Sequence, residues 1–143
     1  MYLIGSLRNP EVPGIASAIR SRGFDVFDDW FAAGPIADDS WQAYEKGRGT
    51  PYAKALRSWA AQNVLKFDTF HLDRARIGVL VMPAGKSGHL ELGRLIGQGK
   101  PTFVLFDQEP DRWDVMYGQC TGVTFSLDEL ISMLLEADRG LVR

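Results

Sequence analysis

The chain has 143 residues, of which 45% are hydrophobic and 24% charged, with a formal net charge of −2; this suits one domain with a sizeable core and excludes broad attraction to nucleic acid or membrane surfaces. A single cysteine, Cys120, excludes an internal disulfide and fits a reducing, cytoplasmic setting. No apolar run approaches the roughly 20 residues that span a bilayer, no basic-then-apolar leader opens the chain, and the two histidines and one cysteine have no metal-ligand spacing.

Tyr2, Leu3 and Ile4 predict a short strand that breaks at Gly5-Ser6, and Pro10 and Pro13 delay the next element. Ile15, Ala16, Ala18 and Ile19 then form a helical face that ends at Arg22-Gly23, with glycine after the last turn. Residues 24–27 predict a second strand, which makes a βαβ opening with parallel strands. Asp28, Asp29 and Trp30 follow on the ligand side of such a sheet. Residues 31–50 read as an insertion with one short helix, opened by Asp38-Asp39-Ser40 and carrying Trp41 and Tyr44 on one face. Aromatic rings interleaved with acids form either a lid that stacks on a base or a satellite hydrophobic cluster under a long loop.

From Pro51 a helical pattern runs for some twenty residues through Tyr52, Leu56, Trp59, Val64, Phe67 and Phe70. Asp68 falls near its carboxyl end, where a carboxylate opposes the macrodipole, so that either catalysis or a salt bridge must account for it. Residues 77–82 predict a strand, and residues 101–106 another. Ser126-Leu127-Asp128-Glu129 is a capping box that opens a last helix through Leu130, Ile131, Leu134 and Leu135. Val123 opens a short fifth strand just before it, and the tail from Asp138 is expected to fray. The alternation predicts one α/β domain over residues 1–143, a three-layer Rossmann- or flavodoxin-like fold with a five-stranded, mainly parallel sheet and an insertion at about 28–50.

The loop between residues 82 and 92 is the most informative part. Pro83-Ala84-Gly85-Lys86-Ser87-Gly88-His89-Leu90-Glu91-Leu92-Gly93 joins a strand to a helix, and such junctions lie at the carboxyl ends of parallel strands, where ligands bind. Gly85 and Gly88 allow backbone N–H groups to approach a ligand closely, and Ser87 is the expected N-cap. Glu91 then falls at the first helical turn, either as a dipole complement or as a nucleophile aimed at a glycine-lined mouth. The loop has neither the Walker spacing nor G-x-G-x-x-G.

Taken in order, Tyr2 to Arg8, Asp68 before a strand, and Ser87 to Gly93 resemble the nucleoside 2-deoxyribosyltransferase superfamily, nearest to its 2′-deoxynucleoside 5′-phosphate N-hydrolase branch. The resemblance spans residues 2 to about 106, loosely over 28–60. It implies Glu91 as the carboxylate that attacks the anomeric carbon, Asp68 as the acid that assists the departing base or positions the sugar, and Tyr2 as the residue orienting Glu91. It further implies Ser6, Arg8 and Ser87 as holders of a 5′-phosphate, with Gly5 in the same loop. Asp73 competes with Asp68 for the second carboxylate. Asp28, Asp29 and Trp30 have no firm counterpart, and base preference is expected there. No cofactor and no metal are expected, and the partner is a small nucleoside or nucleotide. The resemblance also implies a homodimer or larger homo-oligomer. Base exchange by a deoxyribosyltransferase, nucleotide sensing without turnover, and NAD cleavage are the rival readings.

Overall fold

Short runs of leucine, isoleucine, valine and phenylalanine become four parallel strands in the computed structural model, which describes residues 1–142. They are β1 (Tyr2–Ile4), β2 (Gly78–Val81), β3 (Thr102–Leu105) and β4 (Gly122–Thr124), in the spatial order β1-β2-β3-β4. Every pairing is parallel, with Leu3 opposite Val79, Val79 opposite Phe103 and Phe103 opposite Gly122. Six helices accompany them: α1 (Val12–Arg20), α2 (Ala37–Gly47), α3 (Tyr52–Ala55), α4 (Trp59–Arg74), α5 (Lys86–Gly97) and α6 (Leu127–Leu141).

Side chains alternate across the sheet with the period of two that strands impose. Leu3, Val79, Val81, Phe103 and Leu105 pack with residues of α1 and α6 on one face. Tyr2, Ile4, Leu80 and Val104 pack on the other with Leu72 of α4 and Leu92 and Leu95 of α5. Near-continuous burial along β1, β2 and β3 is the signature of a parallel sheet covered on both sides.

Four expectations require correction. The second predicted strand, residues 24–27, forms only one bridge, Phe27 to Tyr2, so the sheet has four strands rather than five. Phe27 N–H donates to Met1 O and Leu3 N–H to Phe27 O, after which the chain turns into a 3₁₀ helix, Asp29–Ala33. The helix expected from Pro51 is two, because the chain breaks after α3 and restarts at Ser58, whose hydroxyl accepts from the Ala61 N–H. Its apolar stripe faces outward: Trp59 is 83% exposed and Phe70 62%, with Val64 and Phe67 also exposed. Lastly, α6 runs through Asp138 to Leu141 instead of fraying. Among the described residues no helix is long and apolar enough to cross a membrane.

Candidate active site

The carboxyl ends of β1 and β2 point to the same edge because their register is parallel. The loops leaving them therefore meet. After β1, Ser6 Oγ accepts from the Arg8 N–H at 3.1 Å, while buried Asn9 accepts from the Glu11 N–H at 3.0 Å through Oδ1. Asn9 Nδ2 also reaches Met82 O at 3.5 Å, which ties the first loop to the second. Between them lies a cavity of about 240 Å³ lined by Ser6, Arg8, Asn9, Pro83, Ala84 and Gly85. Asn9 escaped the sequence reading, since nothing in an Arg-Asn-Pro run distinguishes a buried clamp from a turn residue.

Helix α5 begins two residues earlier than Ser87 would have it. Gly85 is the N-cap, and Ser87 is exposed in the first turn with no capping hydrogen bond. The reason is Gly88, which is buried against the sheet: a Cβ there would lie 3.2 Å from Leu80 Cδ1 and 3.3 Å from Ile4 Cγ2. Gly88 thus serves close helix–sheet packing, and this contact seats α5 so that Glu91 stands beside the sheet. His89 Nδ1 donates to Gly85 O at 2.7 Å, which leaves Nε2 to accept from the Tyr117 hydroxyl, also at 2.7 Å.

Glu91 is half-buried, and its carboxyl is pushed up to about 8, first by burial and then by the negative charge of Asp68. Asp68 is half-buried as well and is pushed up to about 6, by burial and by the Asp38 carboxylate of α2. Tyr2, fully buried in the sheet face beneath them, has its phenol pKa raised by burial, by Glu91 and by Asp68. These couplings bring Tyr2, Asp68 and Glu91 from three separate elements into one electrostatic cluster. Among the described residues neither acid has an ion-pair partner.

Asp73 is a different kind of group. Arg94 grips it with two hydrogen bonds of 2.8 and 2.9 Å and Gln98 adds a third at 2.7 Å, all on the outer surface of α4 and α5. The Arg94 and Gln98 hydrogen bonds hold its carboxyl down at about 2. Asp68, one helical turn and a little earlier, is the carboxylate whose charge raises Glu91.

The segment at which base preference is expected is held by contacts of its own. Asp28 forms an ion pair with Arg20. Trp30 donates to Leu3 O at 2.8 Å and packs over Gly5, where a Cβ would lie 3.4 Å from the ring and 3.0 Å from Val12. Asp29 is exposed in the 3₁₀ turn. Two acids of α2 also approach these groups: Asp38 beside Asp68, and Asp39, which pairs with Arg8 at 2.7 Å. Tyr44 lies outside, exposed, with Arg48 stacked 5.2 Å from its ring centroid.

The fold is therefore a Rossmann-like α/β one, with two carboxyls, Glu91 and Asp68, electrostatically coupled over Tyr2 of its parallel sheet. Comparison of the sequence with protein-family models and with curated proteins returns no match.

Proposed function

We propose that the protein is an N-glycosidase that cleaves the base–sugar bond of a (deoxy)nucleoside 5′-monophosphate through a Glu91 glycosyl ester. The observation that carries this reading is the coupling of Glu91, Asp68 and Tyr2 next to a separate cavity that holds Ser6, Arg8 and Gly85. Sugar chemistry and anion binding need adjacent but distinct places; Tyr2, Asp68 and Glu91 suit the first, and the two loops suit the second.

An oxocarbenium-like transition state places positive charge at the anomeric carbon, which an adjacent carboxylate stabilises and then captures. Glu91 Oε forms the new bond to that carbon as the carbon–nitrogen bond breaks. The electron pair leaves with the base, and Asp68 supplies the proton that neutralises it. In the second step Asp68 takes a proton from water, the oxygen attacks the anomeric carbon, and Glu91 is released as carboxylate. A second base in place of water would make the same intermediate a route to base exchange.

The proton balance favours a pair acting as a unit. Between about 6 and about 8 the two acids hold one proton, which rests on Glu91 while the cleft is empty. Cationic character on the sugar favours ionised Glu91, so the proton passes to Asp68 as substrate binds. Tyr2 keeps its proton throughout this range and offers its hydroxyl as a donor that orients Glu91. Arg8 and the Ser6 hydroxyl match a phosphate, with the Arg8 guanidinium exchanging Asp39 for the ligand.

The outward apolar stripe of α4, with Trp59, Val64, Phe67 and Phe70, is the surface on which a second copy would dock, since exposed contiguous apolar area marks interaction sites. Light scattering on the eluting protein reads that directly. For the chemistry, chromatography of products from nucleosides, monophosphates and NAD is the test. Free base must appear from a monophosphate and vanish in Glu91→Ala; full release by that variant removes the mechanism.

A further inference from the structure

The amino end of α5 is held from an unexpected side. Among the described residues the N–H groups of Lys86 and Ser87 have no acceptor, and the N-cap residue, Gly85, has no side chain to supply one. A helix directs such groups out past its first turn, toward the cavity walled by Pro83, Ala84 and Gly85 and shared with Ser6 and Arg8. The Gly85 carbonyl receives the His89 backbone N–H at 3.3 Å and the His89 ring Nδ1–H at the much closer 2.7 Å. The ring in turn accepts the Tyr117 hydroxyl at 2.7 Å. Tyr117 is itself fixed from behind. Phe106 meets its ring edge-on with centroids 5.1 Å apart, and Asp114 caps its 3₁₀ turn, Val115–Gln119, by accepting the Met116 N–H at 2.8 Å.

We propose that His89 is a positioning residue for anion binding: braced by Tyr117, it holds the Gly85–Lys86 peptide so that the free N–H groups of Lys86 and Ser87 face a phosphate in the cavity beside Arg8. The inference rests on the nucleotide reading above and extends it to the entry of α5. Its physical basis is the planar peptide unit, which carries its C=O and N–H in opposite directions on one rigid plane. Fixing the Gly85 oxygen therefore sets the direction of the Lys86 N–H. Glycine leaves that plane freer to rotate than any other residue does, and His89 supplies from within the helix the restraint that Gly85 lacks. A carbonyl only accepts, so the ring proton sits on Nδ1, and the one lone pair of the neutral ring, on Nε2, is taken up by Tyr117. With both nitrogens engaged, His89 has no proton to give to the reaction, which sets its role apart from those of Glu91 and Asp68.

Titration with inorganic phosphate, followed through the amide NMR signals of Lys86 and Ser87, reads this site without turnover. Both signals should move on saturation in the wild-type protein. His89→Phe should weaken phosphate binding by roughly 10-fold and Tyr117→Phe by roughly 2- to 5-fold, the range of neutral hydrogen bonds lost directly and at one remove. In steady-state kinetics the losses should fall on KM for a nucleoside monophosphate, with kcat and the parameters of the unphosphorylated nucleoside held within about twofold. His89→Asn keeps a donor where Nδ1 stands and should return binding to the level of Tyr117→Phe. His89→Gln keeps only the reach to Tyr117 and should stay as weak as His89→Phe. Unmoved Lys86 and Ser87 signals in the wild type, full phosphate binding by His89→Phe, or equal binding by His89→Asn and His89→Gln overturns the assignment. Thermal melting reports whether His89→Phe is folded; if it is not, Tyr117→Phe and His89→Asn decide. Phosphate binding that depends on His89, in a protein that releases no base, would leave this inference standing and remove the glycosidase. Base release from a monophosphate with a KM indifferent to His89 would do the reverse.

Discussion

Replacing Glu91 with glutamine should make the protein more stable, by an amount that grows with pH. Burial and the Asp68 charge move the Glu91 carboxyl from 4.5 to about 8 on folding. Between those values the folded chain holds a proton that the unfolded chain has released, so stability falls as pH rises through this window. At about 1.4 kcal/mol per pH unit, the ceiling is roughly 5 kcal/mol above pH 8 and roughly 3 kcal/mol at pH 7. Glu91 is half-buried, and solvent reaching its oxygens should leave about 2 kcal/mol at pH 7. For a chain of this length that is roughly 4–8 °C in Tm. Glutamine keeps the shape and removes the charge. Thermal melts of both proteins from pH 4 to pH 9 should show curves that coincide at the acid end and separate steadily between 4.5 and 8. A gap that does not change with pH, or a wild-type protein that is the more stable at pH 9, would refute the coupled, desolvated carboxylate.

Other expectations follow from the same geometry. Asp68→Asn should lower base release by on the order of 10²–10⁴, the usual worth of a positioned acid, and should replace the bell by a single rising limb below 8 as Glu91 ionises, since the charge that raises Glu91 is gone; an alkaline fall near 8 that persists would uncouple the two acids. The wild-type profile itself should be bell-shaped, with limbs near 6 and 8 that bracket the singly protonated pair, and activity that climbs continuously to pH 9 contradicts it. Arg8→Ala should raise KM for a monophosphate by roughly 10- to 100-fold, the range of a charged hydrogen bond, and leave the unphosphorylated nucleoside near its original value. Equal losses on both substrates place the phosphate elsewhere. Asp73→Asn should keep base release within about twofold of wild type, because its partners are Arg94 and Gln98 on the outer surface; a loss as deep as that of Asp68→Asn would exchange the two roles.

Much of the fold was legible because local rules agreed with one another. The apolar runs at residues 2–4, 77–82 and 101–106 became β1, β2 and β3, and the capping box at Ser126 opened α6, with its hydroxyl accepting from the Glu129 N–H. The stretch around Phe27 misled because strand propensity does not tell how many neighbours a strand will find, and the Asp28-Asp29 turn ends the pairing after one bridge. The stripe from Tyr52 to Phe70 misled for a different reason. Periodicity reports that one side of a helix is apolar, and not whether this chain or something outside it covers that side. Ser87 lost the capping position to Gly85 because close packing of Gly88 on Ile4 and Leu80 sets where α5 starts.

By itself the sequence determined the alternation of strands and helices, the strand-loop-helix junction at Gly85, and the acidic residues available to a cleft. These depend on neighbours a few positions apart, whose preferences survive into the folded state. Only tertiary structure set Asp68, whose charge raises Glu91, apart from Asp73 five residues further along the helix, which Arg94 holds. It also put Asp38 beside Asp68 and Asp39 against Arg8, and left Trp41 Nε1 and Glu45 Oε1 buried without partners. Such outcomes depend on desolvation and on charges from distant segments, and these exist only once the chain has closed around them.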